Sequence, residues 1–235
     1  MITHEPIYTD LADNVLIGMW RTFVLGLAGI GRAGSMTLQA ICLSPLLMRS
    51  RRSRAELVRQ LFVTGIKSLA LITIVGMFTG MILGLQIGLE LRRYNQEIYI
   101  GSAVMVSLLR EMGPFMTGII LAACVGSSMA AQLGTMTVND EVAALEIMSI
   151  SPVRFLMAPR MAAMMVMTPV LSFYTSILGV IGGGIVGLTQ LNVPWEQYVS
   201  NAMSIADCYD LYVGLFKAMI FGIVITGVSC YEGFT

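Results

Sequence analysis

The chain has 235 residues, of which 56% are hydrophobic and 12% are charged. Because a soluble globular domain carries about 25% charged residues, this composition cannot form a surface that faces water on all sides. The 14 basic and 14 acidic residues cancel to a net charge of zero, and nothing in them indicates a nucleic-acid partner. A water-soluble domain is therefore excluded, and a membrane protein is expected.

Three long runs without a charged residue predict membrane-spanning helices. They contain 22, 28 and 35 residues, against the roughly 20 that cross the hydrocarbon core, and they run from Ser68 to Leu89, Met112 to Asn139 and Met161 to Trp195. We expect an all-α integral membrane protein with an N-terminal interfacial helix, about four to five transmembrane helices and a short cytoplasmic helix. A single transmembrane domain would occupy residues 1–235, with an N-terminal region at 1–60 and the helical bundle at 61–235.

The N-terminal part carries charges that predict its position and orientation. The stretch from Trp20 to Met48 is apolar but is interrupted by Arg32, which favours a helix in the membrane interface over a full span. No secretory signal precedes it, so we expect the N-terminus to be retained. Five arginines then lead into the first span, and the positive-inside rule places them in the cytoplasm: Arg49, Arg51, Arg52, Arg54 and Arg59.

The first span is predicted from Leu61 to about Glu90, followed by a polar cap on its outer side. The next stretch, from Ile98 to Asn139, would form a helix of about 63 Å, which is twice the thickness of the hydrocarbon core. Proline disfavours helix at the residue before it, so Gly113-Pro114 is the expected break. The second span would then run from Met112 to Leu133.

A short cytoplasmic helix is predicted from Thr137 to Met148, before Pro152 stops it. Thr137 and Asp140 have the spacing of a capping box. At helical spacing, one face of this helix is apolar and contains Val138, Val142 and Leu145. The acidic residues Asp140, Glu141 and Glu146 point away from that face. The helix therefore offers an apolar stripe to a partner or to lipid.

Two further spans complete the predicted bundle. The third runs from Phe155 to Leu191, an outer loop follows from Asn192 to Asp210, and the fourth runs from Leu211 to Tyr231. Lys217 interrupts the fourth span near its outer start, where a lysine can extend its ammonium group to the lipid headgroups.

Small residues recur every four positions in the first two spans. They are Gly76, Gly80, Gly84 and Gly88 in the first, and Gly118, Ala122, Gly126, Ala130 and Gly134 in the second. Such faces let two helices approach closely in lipid. Tight packing within the chain is the favoured interpretation, and a homodimer seam along one stripe is the alternative.

Motifs for catalysis are missing from the sequence. Lys67 and Lys217, the two lysines, are not part of a G-x-x-x-x-G-K-[ST] loop, so the chain does not bind ATP by a P-loop. With His4 as its single histidine, one subunit cannot build a His-based metal site or a Ser-His-Asp triad. The four cysteines form no C-x-x-C pair, and we expect no disulfide. Neither an enzyme nor a resident cofactor is expected.

Arg110 and Glu111 are the charged pair in an otherwise apolar stretch. Lipid does not tolerate such residues, so by default they mark a functional site. The alternative is that they anchor the chain in the membrane interface at the predicted helix break. The spacing alone favours neither interpretation.

Several motifs, in order along the chain, resemble the MlaE/YrbE permease family. They are Gly80-Met-Ile-Leu-Gly-Leu-Gln86, Leu109-Arg-Glu-Met-Gly-Pro114, Ala130-Ala-Gln-Leu-Gly-Thr-Met136, Ala144-Leu-Glu-Ile-Met148, Ser151-Pro152 and Ala158-Pro-Arg160. The resemblance covers most of the chain from about residue 20. It implies a homodimeric permease of an ABC transporter in the bacterial inner membrane, with a cytosolic ATPase subunit, a periplasmic MCE-domain protein and phospholipid as cargo.

The resemblance also implies roles for particular residues. A lipid cavity at the dimer interface would be lined by Leu83, Gln86, Leu91, Tyr94, Arg110 and Glu111. The predicted cytoplasmic helix matches the coupling helix of that family, so contacts with the ATPase would come from Val138, Asp140, Glu141, Val142, Leu145, Glu146 and Met148. No catalytic residue and no metal site is implied.

Two features depart from the family pattern. The chain has Gln132 where the family usually has the glutamate of E-L-G-T-M, which removes a charge at the cytoplasmic end of the second span. The family also continues beyond the segment Tyr231-Glu-Gly-Phe-Thr235 with a further span.

An ATP-independent secondary transporter or channel is the main alternative function. It would be expected to show inverted repeats and paired intramembrane carboxylates, whereas Glu111 is the one acidic residue well inside an apolar run. A membrane-embedded enzyme has no histidine or metal cluster to use. A structural scaffold would leave Arg110 and Glu111 unexplained.

Overall fold

The computed structural model describes residues 29, 31–43, 51–205 and 207–234. Within these residues the chain is helical, without a strand. The helices are α1 at 31–43, α2 at Arg51–Arg93, α3 at Ile100–Ser107, α4 at Gly113–Leu121, α5 at Ser127–Val138, α6 at Glu141–Ile147, α7 at Ala158–Gln190, α8 at Trp195–Ile205 and α9 at Cys208–Phe234.

Four helical stretches of the described chain are long and apolar enough to cross a membrane. They are Arg54–Arg93, Glu97–Val138, Val153–Gln190 and Cys208–Phe234. This result confirms the all-α membrane fold and four of the predicted spans. Of the stretch predicted as an interfacial helix, residues 29 and 31–43 are helical and the others lie outside the described residues.

Helix α7 occupies the centre of the bundle. It packs against α2 along most of its length and also contacts α4 and α9, while α5 lies against α9 and α8 lies against α3. Three apolar clusters follow one another from the outer to the arginine-rich end of the bundle. They are built around Ile100, Leu108 and Tyr198, then Ile72, Leu121 and Met164, then Ala40, Leu133 and Met161.

Both stripes contain small residues that pack inside the chain. Gly80 of α2 lies against the backbone of Gly179 in α7, so closely that a β-carbon would overlap it. In the second span, Gly118 faces Phe221 of α9, and a β-carbon at Gly126 would lie 2.9 Å from the Ser229 hydroxyl. The prediction of tight packing within the chain is confirmed for the first stripe and for Gly118 and Gly126 of the second, while Ala122 of the second stripe is exposed. The alternative of a homodimer seam along one stripe stays a prediction.

The expected break at Gly113-Pro114 does not occur. Residues 97–138 form one continuous helical stretch, in which a π turn at Leu108–Met112 leads directly into α4. The Gly113 amide donates to the Leu108 carbonyl, and Pro114 occupies the first turn of α4. A π turn accommodates the proline, which lacks an amide proton, without ending the helix.

The connections also differ from their predictions. Asp140 has a left-handed backbone, with φ of 58°, and makes no capping bond, while the Thr137 hydroxyl donates to the carbonyls of Leu133 and Gly233. The capping box is therefore absent, and the cytoplasmic helix shortens to α6. The predicted outer loop after Leu191 is mostly helical, because it contains α8, whose Tyr198 packs in the outer cluster and donates to the Val180 carbonyl.

Candidate functional site

The π turn before Pro114 leaves a backbone carbonyl without its helical partner. In an α-helix the amide of residue 114 would donate to the carbonyl of residue 110, and proline has no amide proton to donate. The Lys217 ammonium takes that place, donating to the Arg110 carbonyl at 3.1 Å. Lys217 is exposed, so this bond leaves its predicted reach to the headgroups a prediction and adds a partner within the protein.

Arg110 forms an ion pair with a residue of another span. Its Nε donates to Oδ1 of Asp210 at 2.5 Å, where the Asp210 side chain is 6% exposed and the Arg110 side chain 52% exposed. Asp210 stands in the first turn of α9, one hundred residues along the chain. The pairing explains how a charged residue is held in an apolar stretch, since buried charges in membranes are paired.

Sequence reasoning missed Asp210, which it placed at the end of an outer loop. Between Asp210 and Lys217 lies Gly214, and a β-carbon there would overlap the Leu109 carbonyl. This glycine lets α9 approach the π turn closely enough for both charged side chains to reach Arg110. The sequence did contain a signal for this pairing. Asp210 and Lys217 flank Gly214 near the start of the fourth span, and Arg110 and Glu111 precede the charge-free part of the second span.

Glu111 follows Arg110 in the chain and is exposed. It has no ion-pair partner among the described residues, and Arg110 uses only Nε for Asp210. The outer part of the second span therefore presents a carboxylate and the remaining donors of a fixed guanidinium to the surroundings. We call Arg110, Glu111, Asp210 and Lys217 the outer charged cluster.

The four remaining residues of the predicted lipid site lie on the outer half of α2 and just beyond it. Leu83 and Leu91 are half-buried against the outer apolar cluster, which Met112 also contacts. Gln86 and Tyr94 are exposed. The predicted set thus divides into two packed and two exposed residues at the outer end of the bundle, and its role in lipid binding stays a prediction.

The predicted coupling residues surround α6 at the arginine-rich end. Val138 is 83% exposed, and Met148 and the acidic residues Asp140, Glu141 and Glu146 are exposed as well. Val142 and Leu145 are half-buried, so they do not share an open apolar stripe with Val138. The structure adds Ile147, which is 85% exposed and which the sequence analysis did not select. An exposed apolar surface is present, made mainly of Val138, Ile147 and Met148.

Comparison with known proteins shows similarity over most of the chain. The family model Permease MlaE matches residues 57–235. The intermembrane phospholipid transport system permease protein MlaE of Haemophilus influenzae is 34% identical over 206 residues, covering 87% of this chain and 78% of that protein. A probable ABC transporter permease protein of Rickettsia typhi is 36% identical over 178 residues, covering 76% and 69% of the two chains.

A more distant relative has the same description. A probable ABC transporter permease protein of Synechocystis is 29% identical over 189 residues, which cover 80% of this chain and 72% of that protein. The matched region includes most of α2 and all of α3 to α9, and with them the outer charged cluster and α6. The chain therefore belongs to the MlaE permease family of ABC transporter membrane subunits.

Proposed function

We propose that the chain is the permease through which an ABC transporter moves phospholipid between the bacterial inner membrane and a periplasmic assembly of MCE-domain proteins. Such transport would support the lipid asymmetry of the outer membrane or lipid trafficking to it. The observation that carries the proposal is the outer charged cluster, which presents fixed charges beside an apolar, membrane-spanning surface. The name of the Haemophilus relative, which describes phospholipid transport, supports the same cargo.

The chemistry of the cluster suits a phospholipid headgroup. Asp210 holds the Arg110 guanidinium in place, and the remaining donors of that planar group match the oxygens of a phosphate. Glu111 is an acceptor for an ammonium group, such as that of an ethanolamine headgroup. Gln86 and Tyr94 add exposed polar groups on α2. A second copy of the chain would complete the cavity around the acyl chains.

The surface around α6 suits a cytosolic ATPase subunit. Ile147 and Met148 are apolar and exposed at the end of the bundle where the arginine cluster predicts cytoplasm. Docking of these side chains into a groove of the ATPase would couple ATP binding to movement of α5 and α7, which flank α6. Nucleotide would then shift the population between an outward-open and a collapsed cavity.

A reconstituted transport assay tests the proposal. The full chain and its ATPase subunit are placed in vesicles with fluorescent phospholipid, and transfer to or from a soluble MCE-domain protein is followed with and without ATP. We expect ATP-dependent transfer that falls about tenfold in Glu111→Gln, because loss of one charge-assisted hydrogen bond costs roughly 1.4 kcal/mol. The matched control is Glu196→Gln, which changes an exposed glutamate of α8 on the same side.

The same assay distinguishes the proposed ATP-driven transport from the alternative function. Transfer that proceeds at the same rate without the ATPase would indicate an ATP-independent secondary transporter of an amphipathic substrate. Equal rates for the wild type and Glu111→Gln would remove Glu111 from the lipid site while leaving ATP-driven transport intact.

A further inference from the structure

A mainly apolar cleft with a few polar groups opens on the arginine-rich half of the bundle, far from the outer charged cluster. Its walls are the first half of α2 on one side, and the π turn at Ala122–Gly126 with α5 on the other. The lining combines one cation, neutral polar groups and apolar side chains: Gln60, Val63, Lys67, Ser68, Cys124, Val125, Ser128, Met129 and Gln132.

Lys67 gives the cleft an uncompensated positive charge. It is exposed and has no ion-pair or hydrogen-bond partner among the described residues, and none of the other lining residues is acidic. Gln132 lines the opposite wall as a neutral amide. An exposed lysine without an acidic neighbour attracts an anion, and beside a membrane surface the attraction for an anionic lipid is about 1 kcal/mol, or about fivefold.

Neighbouring groups are arranged to accept such an anion. The Gln132 amide donates to the Ser128 hydroxyl oxygen at 3.2 Å, which leaves the hydroxyl proton of Ser128 available to a ligand. Ser68 donates to the Thr64 carbonyl and does not compete for it. Val125 and Met129 are buried and provide an apolar floor beside these polar groups.

The depth of the cleft in the membrane identifies the source of the anion. Lys67 immediately precedes the 22-residue charge-free run that ends at Leu89, about 33 Å along the helix. Gln132 lies about 32 Å from Glu111 on the second span. Because the hydrocarbon core is about 30 Å thick, both side chains stand at its edge on the arginine-rich side, where the phosphates of one leaflet lie.

We propose that this cleft binds an anionic phospholipid of the leaflet on the arginine-rich side. Lys67 and Ser128 bind the phosphate, and an acyl chain lies over Val125 and Met129. The inference rests on the proposed function, because it supplies a second lipid subsite at the membrane edge opposite the outer charged cluster. The proposal gives a role to Lys67, which belongs neither to the outer charged cluster nor to the exposed surface around α6.

Photocrosslinking in vesicles tests the site directly. The full chain, carrying benzoylphenylalanine in place of Val63, is reconstituted into equal parts of phosphatidylglycerol and phosphatidylcholine, and the lipid adducts are quantified by mass spectrometry. We expect phosphatidylglycerol adducts to exceed phosphatidylcholine adducts about fivefold, the effect of one cation beside an anionic lipid. The same probe at Phe62, an exposed apolar neighbour outside the cleft, should show no preference.

Charge variants then assign the preference to Lys67. Lys67→Gln should abolish it, Lys67→Arg should keep it, and Arg59→Gln should keep it, because Arg59 lies on the same helix outside the cleft and pairs with Glu56. The measurement is repeated with the probe at Cys124, on the opposite wall of the cleft. Agreement between the two positions shows that the probe at Val63 did not itself alter lipid binding.

Four results would overturn the proposal. They are equal adducts of the two lipids at both probes, a preference that survives Lys67→Gln, crosslinks to a second copy of the chain in place of lipid, and loss of the adducts on adding inorganic phosphate. The last would indicate a site for soluble anions. Crosslinking needs neither ATP nor an ATPase, so this proposal and the proposed transport function can fail independently.

Discussion

Replacing Gly80 by alanine tests how closely α2 and α7 pack. A β-carbon at Gly80 would overlap the carbonyl group and α-carbon of Gly179. These are backbone atoms of a helix and cannot move aside as a flexible side chain does. The two helices therefore have to separate along the seam that also contains Gly84 and Gly183, where a β-carbon would lie 2.8 Å from the facing α-carbon.

The expected cost follows from that separation. A gap of roughly 0.5–1 Å forfeits a quarter to a half of the dispersion attraction across a contact, and overpacking costs about 1–3 kcal/mol. The higher helix propensity of alanine offsets up to about 1 kcal/mol. We expect Gly80→Ala to lower the free energy of unfolding by about 1–2 kcal/mol. At Gly118 the nearest atom would be 3.4 Å away on the Phe221 side chain, so Gly118→Ala should be neutral or stabilising by up to about 1 kcal/mol.

Unfolding in detergent micelles by titration with dodecyl sulfate measures the difference. Trp195 stacks on Tyr198 with ring centroids 6.0 Å apart. With the other tryptophan removed by Trp20→Phe in every variant, tryptophan fluorescence reports loss of the outer end of the bundle. Both substitutions replace glycine by alanine inside a membrane-spanning helix, which makes them a matched pair. If Gly80→Ala were as stable as Gly118→Ala, the close backbone contact between α2 and α7 would be refuted.

The remaining predictions concern the outer charged cluster and α6. Arg110→Gln leaves the buried Asp210 carboxylate unpaired and should lower the free energy of unfolding by about 2–4 kcal/mol in the same titration. Asp210→Asn leaves a half-exposed arginine unpaired and should cost about 1 kcal/mol less. Equal costs would contradict the difference in burial between the two side chains. Lys217→Met should cost about 1 kcal/mol by removing the donor to the Arg110 carbonyl, and wild-type stability would count against that bond. Ile147→Asp, on an exposed surface, should change stability by less than about 0.5 kcal/mol yet lower ATP-driven lipid transfer at least tenfold; unchanged transfer would remove Ile147 from the ATPase contact.

The fold class and the spans could be predicted because the relevant physics is local. Transfer of a helix into lipid depends on a sum over its own residues, so a charge-free run is sufficient evidence for a span. The spacing of the small residues likewise follows from the helical repeat, which places every fourth residue near the same face. These inferences need no knowledge of what lies beside the helix.

The partners of these residues could not be predicted in the same way. Gly80 meets Gly179, and Arg110 meets Asp210, only because distant helices share a depth and a rotational orientation in the bundle. The continuity of the second span at Pro114 also depends on a neighbouring helix, since Lys217 of α9 donates to the Arg110 carbonyl, to which proline has no amide proton to donate. The sequence by itself determined which segments enter the membrane and where small and charged residues fall along them. Only the tertiary structure decided which helices those residues join, because contacts between helices depend on the relative placement of segments that lie far apart along the chain.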